Sequence, residues 1–127
     1  MMSRFPQRLL LALTLAAGAL PAAHAAGDVA KGNDVFAEEC AECHSPREGK
    51  NKKGPSLFAV VGRKAASVPD VVYSDALKAS GLTWTPDRID AYVSAPKKLV
   101  PGGKMKYEGL ASATERADLL AYLASLH

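Results

Sequence analysis

The residues best suited to chemistry are Cys40, Cys43 and His44, which lie together in the pentapeptide CAECH. Two thiols three positions apart fall on the same side of a helical turn, so both can reach one planar ligand. Such a pair can form a disulfide, act as a thiol redox pair or attach haem covalently. Only haem attachment gives the adjacent imidazole a role, as a ligand of the iron. We therefore predict covalent haem attachment, with a plain disulfide as the main alternative.

The ligand on the other side of the iron decides what such a haem does. A vacant position suits a gas sensor or a peroxidase, whereas a second protein ligand suits electron transfer. Met105 is the one methionine beyond the N-terminal leader, and it follows a Pro-Gly-Gly turn between Lys104 and Lys106. Lone methionines usually fill gaps in a core, but two flanking lysines disfavour that role here. His127 is a possible rival ligand, although a terminal histidine is usually solvated.

The leader has the order of a secretory signal peptide. Arg4 and Arg8 precede an apolar stretch at residues 9–20, and the sequence PAAHAA follows. Twelve apolar residues are too few to cross a bilayer, which takes roughly 20. We predict that residues 1–26 are a cleaved signal peptide, that residues 27–127 form the mature domain, and that the protein is periplasmic.

The mature chain has the size of one small domain and almost no net charge. Removing Arg4 and Arg8 leaves 14 basic and 13 acidic residues, so charge gives no reason to expect a nucleic-acid partner. A chain this short builds only a small core, and a covalently held macrocycle would supply an apolar centre. Lysines recur in the later loop-like stretches, and if they share a face they can steer the molecule toward an acidic partner. These lysines are Lys50, Lys52, Lys53, Lys97, Lys98, Lys104 and Lys106.

Hydrophobic periodicity predicts an all-α fold of about four helices. The first covers residues 28–40, where Gly32 suggests a close approach of another helix. The last begins after Ser112, with Glu115 completing a capping box, and has an apolar face. Shorter helices are predicted at 73–79 and at 86–94, the second capped by Thr85. No stretch alternates apolar and polar residues for long enough to predict a sheet.

Several motifs occur in one order along the chain: KGNDVF, CAECH, GPSL, VGRK, YSDAL, TW, PGGKM and ERADLLAYL. In this order they resemble the class I cytochrome c family, which includes the mitochondrial protein and short bacterial relatives. The resemblance runs from residue 27 to about residue 123. It implies helices and loops wrapped around one haem c, thioether bonds from Cys40 and Cys43, and axial ligation by His44 and Met105.

The resemblance also implies roles for residues around the haem. By matching positions, the carbonyl of Pro55 holds the ring N–H of the axial histidine. Arg63, Tyr73 and Trp84 match residues that hydrogen-bond or neutralise a buried propionate. Tyr92 matches a tyrosine whose hydroxyl reaches the methionine sulfur.

Three positions depart from the family pattern: Leu77 stands where an asparagine is common, Gly103 where a threonine is common, and Tyr107 where a phenylalanine usually covers the haem edge. The first two changes remove polar groups near Tyr92. We expect a drier methionine side and a shifted reduction potential.

The function that follows is a soluble periplasmic one-electron carrier, not an enzyme. We expect a monomer that docks transiently, through lysines around the haem edge, on a bc1-type complex, a terminal oxidase or a photosynthetic reaction centre. A gas sensor or peroxidase with an open sixth site, and a haem-free binding module with a disulfide, are the alternatives from other classes.

Overall fold

The computed structural model describes residues 26–127, so the predicted signal peptide lies outside the described residues except for its last residue. The described part is helical, as predicted, and its one β-bridge pairs Lys64 with Thr83. No helix among these residues has the length and apolar character that crossing a bilayer requires. The helices are α1 (Val29–Glu39), α2 (Asp75–Ala79), α3 (Pro86–Ser94), α4 (Pro96–Leu99) and α5 (Ala113–Ala124).

The two long helices begin where their capping residues predict. The Asp28 carboxylate accepts a hydrogen bond from the Lys31 amide at 2.9 Å and starts α1. The Ser112 hydroxyl accepts one from the Glu115 amide at 3.2 Å and starts α5. Each cap satisfies an amide that has no partner within its own helix. The first helix ends at Glu39 with Cys40 as its C-cap, so the CAECH segment follows the helix directly.

Helices α1 and α5 pack against each other across Gly32. A Cβ built on this glycine would overlap with the carbonyl oxygen of Asp118 on α5. The prediction of a close helix approach at Gly32 is therefore confirmed. The rings of Phe36 and Tyr122 meet beside this crossing with their centroids 5.4 Å apart. The N- and C-terminal helices thus form one unit that anchors the CAECH pentapeptide.

Two predictions about the middle of the chain need correction. The second helix begins at Asp75 and not at residue 73, because the Ser74 hydroxyl accepts from the Leu77 amide at 3.1 Å and makes Ser74 the N-cap. A one-turn helix, α4, follows α3 directly, so the described residues contain five helices and not about four. A proline usually ends a helix, but it also fits the first position of a new one, and Pro96 begins α4 in this way.

The core lies between these helices and the loops around them. Its buried apolar side chains come from α1, α3, α5 and the segments between the helices: Phe36, Val60, Leu82, Trp84, Ile89, Val100, Leu110, Leu119 and Leu123. Cys40, Leu77, Tyr92 and Tyr107 pack against it from partly exposed positions. Several residues singled out by the sequence therefore border one apolar interior.

Candidate haem-binding site

The CAECH segment forms a tight turn at the end of α1. The amides of Cys43 and His44 both donate to the carbonyl oxygen of Cys40, at 3.1 and 2.9 Å. This turn brings the two cysteines and the imidazole together over five residues. The two sulfurs are not joined in a disulfide, and both side chains are partly exposed.

Burial raises the pKa of the Cys40 thiol to about 11, and the neighbouring charge of Glu39 adds to the effect. A redox-active thiol needs the opposite, a lowered pKa that favours the thiolate. The environment of Cys40 therefore disfavours a thioredoxin-like pair. It keeps the Cys40 thiol protonated at neutral pH.

His44 is held from two directions. Its Nδ1 donates to the carbonyl oxygen of Pro55 at 2.7 Å, because a carbonyl can only accept. A Cβ on Gly54 would come within 2.6 Å of Cε1 of the ring, so this glycine lets the backbone lie against the imidazole. Burial lowers the pKa of His44. The hydrogen bond to Pro55 opposes this shift, and the charge of Arg63 adds to it. The ring is thus oriented and neutral, and its Nε2 lone pair is left for a metal.

Arg63 and Tyr73 lie on the connection that precedes α2. Burial lowers the pKa of the Arg63 guanidinium, and the nearby Tyr73 opposes this shift. Nη1 of Arg63 donates to the Phe58 carbonyl at 3.0 Å, and the Tyr73 hydroxyl accepts from the Val68 amide at 3.1 Å. Each side chain keeps further donor capacity. Together they form a half-buried basic corner that fits a carboxylate such as a propionate.

Trp84 and Tyr92 form an aromatic pair beside this corner. Their ring centroids are 4.9 Å apart, and Trp84 is buried. Among the described residues the indole N–H of Trp84 has no hydrogen-bond partner, and neither has the Tyr92 hydroxyl. Burial raises the pKa of Tyr92, so the hydroxyl remains a donor. The expected contact between Tyr92 and the Met105 sulfur is not among the hydrogen bonds in the described part, and it stays a prediction.

Met105 lies in the irregular segment between α4 and α5, as the Pro-Gly-Gly turn predicts. From residue 104 to residue 108, exposure alternates, with Met105 and Tyr107 partly buried and the residues around them exposed. Side chains of an extended chain alternate between two sides, so these two share the inward side. Within the described chain, Met105 is not one of the apolar side chains that pack against the core. It is therefore half-buried without filling a core gap.

The seven lysines of the predicted patch are all exposed. Lys52 donates to the carbonyl oxygen of Ala41, and Lys53 forms an ion pair of 2.8 Å with Glu42, so these two lie at the CAECH turn. Lys97 pairs with Glu108 at 3.2 Å on the Met105 segment. At least three of the lysines thus lie beside one or the other proposed iron ligand.

This donor set fits a haem. It offers two unpaired thiols, an imidazole with one nitrogen already used and the other available, a half-buried thioether, and hydrogen-bond donors at Arg63 and Trp84. Sequence reasoning missed Gly54, whose only signal was its place before a proline. It also missed the hydrogen bond of 2.6 Å that the Tyr107 hydroxyl donates to the carboxylate of Glu39.

Comparison with known proteins agrees with this chemistry. The family model for cytochrome c matches residues 29–127. Cytochrome c2 of Rhodopila globiformis is 45% identical over 100 residues, which cover 79% of this chain and 94% of that protein. Cytochrome c2 of Agrobacterium tumefaciens is 46% identical over 101 residues, covering 76% and 90%.

The structural comparison gives the same answer. Cytochrome cH from Methylobacterium extorquens superposes with a TM-score of 0.72 at 42% identity, over 78% of this chain and 99% of that one. The chain therefore belongs to the cytochrome c family, as a class I member that binds one haem c covalently and carries electrons rather than acting as an enzyme.

Proposed function

We propose that this protein is a soluble periplasmic one-electron carrier in which Cys40 and Cys43 form the thioethers and His44 and Met105 are the axial ligands. The observation that supports the proposal most strongly is the orientation of the His44 ring and the hydrogen bond that it makes. Its Nδ1 is taken by Pro55 at 2.7 Å while Gly54 backs the ring, so only Nε2 remains to bind iron. When bound, haem c supplies a centre that accepts or releases one electron.

Met105 is the proposed ligand on the opposite side. Its inward, half-buried position outside the core packing leaves the thioether available for a metal. Methionine ligation raises the reduction potential relative to two nitrogen ligands, which suits the high-potential end of a respiratory or photosynthetic chain. It also closes the sixth position, which a sensor or peroxidase would leave open.

Three side chains with hydrogen-bond donors are proposed to hold the haem propionates. Arg63, Tyr73 and Trp84 can each donate a hydrogen bond to a carboxylate, and the guanidinium also offsets its charge. Tyr92 is proposed to donate to the methionine sulfur, since burial keeps its hydroxyl protonated. These groups orient the cofactor and set its surroundings.

The proposed partners are membrane redox complexes such as a bc1-type complex, a terminal oxidase or a photosynthetic reaction centre. Exposed lysines lie on both sides of the site, at the CAECH turn and on the Met105 segment. A positive rim of this kind speeds association with an acidic surface, and salt weakens it. We expect transient docking of a monomer.

Absorption spectra of protein expressed in a bacterial periplasm test the ligand set. Native protein should keep its pigment through acid-acetone extraction and show the sulfur-to-iron charge-transfer band when oxidised. Met105→Ala should lose the band and bind carbon monoxide at once when reduced. His127→Ala, the control for the rival ligand, should retain the band. Native protein without the band, or with rapid carbon monoxide binding, would instead point to the open sixth site of a sensor or peroxidase.

A further inference from the structure

The segment that carries Met105 has few attachments between its two ends. In the described structure, residues 104–109 take part in no backbone–backbone hydrogen bond. The segment is fixed just before them, where the Gly103 amide donates to the Val100 carbonyl at 3.1 Å, and just after them, where the Leu110 amide donates to the Val93 carbonyl at 2.9 Å. Residues 104–109 must therefore be held in place by side-chain contacts.

Two polar side-chain contacts hold residues 104–109 in the described structure, and they differ in the sequence separation of their partners. Glu108 pairs with Lys97 of α4, which is 11 residues away and borders the same loop. Tyr107 donates from its hydroxyl to Oε2 of Glu39 at 2.6 Å, across 68 residues of sequence. Of these two contacts, only the second connects the Met105 segment to α1, because Glu39 is the last residue of that helix.

Tyr107 is well placed for such a tie. It is two positions from Met105 on the inward side of the segment, and its ring packs against the apolar core while its hydroxyl reaches the end of α1. A hydrogen bond to a carboxylate is stronger than one between neutral groups. Loss of the hydroxyl alone would leave the ring packing intact.

We propose that Tyr107 is a positioning residue that, through its hydrogen bond to Glu39, latches the Met105 segment to α1 and limits how often that segment opens. The inference rests on the proposed ligation by Met105. A side-chain contact between the Met105 segment and α1 then sets how readily the sixth ligand exchanges. The latch spans the two parts of the chain that supply the thioether cysteines and the axial sulfur.

The test measures how fast added imidazole replaces the sulfur in the oxidised holoprotein, followed as loss of the sulfur-to-iron charge-transfer band. Opening of the segment limits this replacement. Tyr107→Phe should speed it about fivefold, as expected for loss of one net hydrogen bond. Glu39→Gln should speed it less, because an amide oxygen still accepts. The double variant should be no faster than Tyr107→Phe, because both changes act on the same contact and Tyr107→Phe alone abolishes it.

Tyr122→Phe is the matched control, since the Tyr122 hydroxyl has no hydrogen-bond partner among the described residues and its ring packs on Phe36. It should leave the imidazole rate unchanged. Hydrogen exchange gives a second readout: Tyr107→Phe should speed exchange at the amides of residues 104–108 and not at those of α5.

The outcomes separate the two proposals. A native protein without the charge-transfer band overturns ligation by Met105. A native protein with the band whose Tyr107→Phe and Tyr122→Phe variants react at the same rate overturns the latch, and so do additive effects of Tyr107→Phe and Glu39→Gln.

Discussion

The two proposed iron ligands are held in opposite ways. Around His44, the chain folds back on itself: the Gly54 amide donates to the Cys43 carbonyl at 2.8 Å, and the Leu57 amide donates to the Ser45 carbonyl at 2.8 Å. Pro55 then fixes the ring itself at 2.7 Å. Around Met105, the described backbone makes no such bonds, and the segment depends on its ends and on side chains.

The two ligands therefore differ in how easily they can move. Opening the histidine side would break several backbone hydrogen bonds together, whereas opening the methionine side would break one or two exposed side-chain contacts. Local opening is cheapest where buried contacts are few. We therefore expect the sulfur to be the exchangeable ligand and the imidazole the permanent one.

The lysines beside the site differ in whether a carboxylate already holds them, and each side of the site has at least one that is paired. Lys53, at the CAECH turn, already pairs with Glu42 at 2.8 Å. Lys104 and Lys106, which flank Met105, have no carboxylate within ion-pair distance among the described residues. Their ammonium groups are free to pair with an acidic partner.

The largest effect is expected from Gly54→Ala, which disturbs the packing of the backbone against the His44 ring. The new Cβ would lie 2.6 Å from Cε1 of His44, so the ring or the backbone must shift. Such overpacking should lower the free energy of unfolding by about 3 kcal/mol and reduce the yield of haem-loaded protein. Denaturant unfolding and the ratio of haem to protein absorbance measure both effects.

Gly49→Ala is the control for that substitution. Gly49 has a φ of 67° and no atom within 4 Å of an added Cβ, so alanine meets conformational strain without a clash. It should cost about 1 kcal/mol and leave haem loading unchanged. Equal losses in the two variants would contradict the role assigned to Gly54.

A smaller effect is expected from Leu77→Asn on the methionine side. Leu77 packs against the core, and its neighbour Ala76 lies 3.5 Å from a Cβ built on Gly102, so α2 borders the turn that leads to Met105. A polar amide there should stabilise the extra positive charge of oxidised haem. The potential should fall by about 30 mV, and Leu77→Ile should leave it unchanged. Redox titration measures the potential. An unchanged potential in Leu77→Asn would refute the hypothesis that Leu77 keeps the methionine side dry.

The smallest effect concerns docking. Lys104→Gln and Lys53→Gln each remove one positive charge, so both should slow association with a bc1-type complex at low ionic strength. Only Lys104→Gln should also speed dissociation, by about twofold, because Lys53 would first have to leave Glu42. Surface plasmon resonance separates the two rates, and Lys104→Arg should restore the native dissociation rate. Faster dissociation of Lys53→Gln than of Lys104→Gln would contradict this division.

Local signals predicted the helices well. Asp28, Ser112 and Thr85 are capping residues whose hydrogen bonds are made within three residues of sequence, so a short window contains the whole contact. The same window misled at Pro96, where a proline that ends one helix also begins the next.

The contacts that position the ligands were harder to predict. The sequence identifies His44 and Met105 by residue type and spacing, but it does not show that Gly54 backs the imidazole. The link between Tyr107 and Glu39 joins residues 68 positions apart. No periodicity or cap encodes such a pair, because it exists only after α1 and the Met105 segment have been brought together by the fold.

One measurement tests the central contrast most directly: unfolding of the oxidised holoprotein in guanidinium chloride, followed at once by the sulfur-to-iron charge-transfer band and by far-ultraviolet circular dichroism. The band should disappear at a lower denaturant concentration than the helical signal, because the methionine segment opens before α1 and α5 separate. Coincident loss of the two signals in one transition would contradict it.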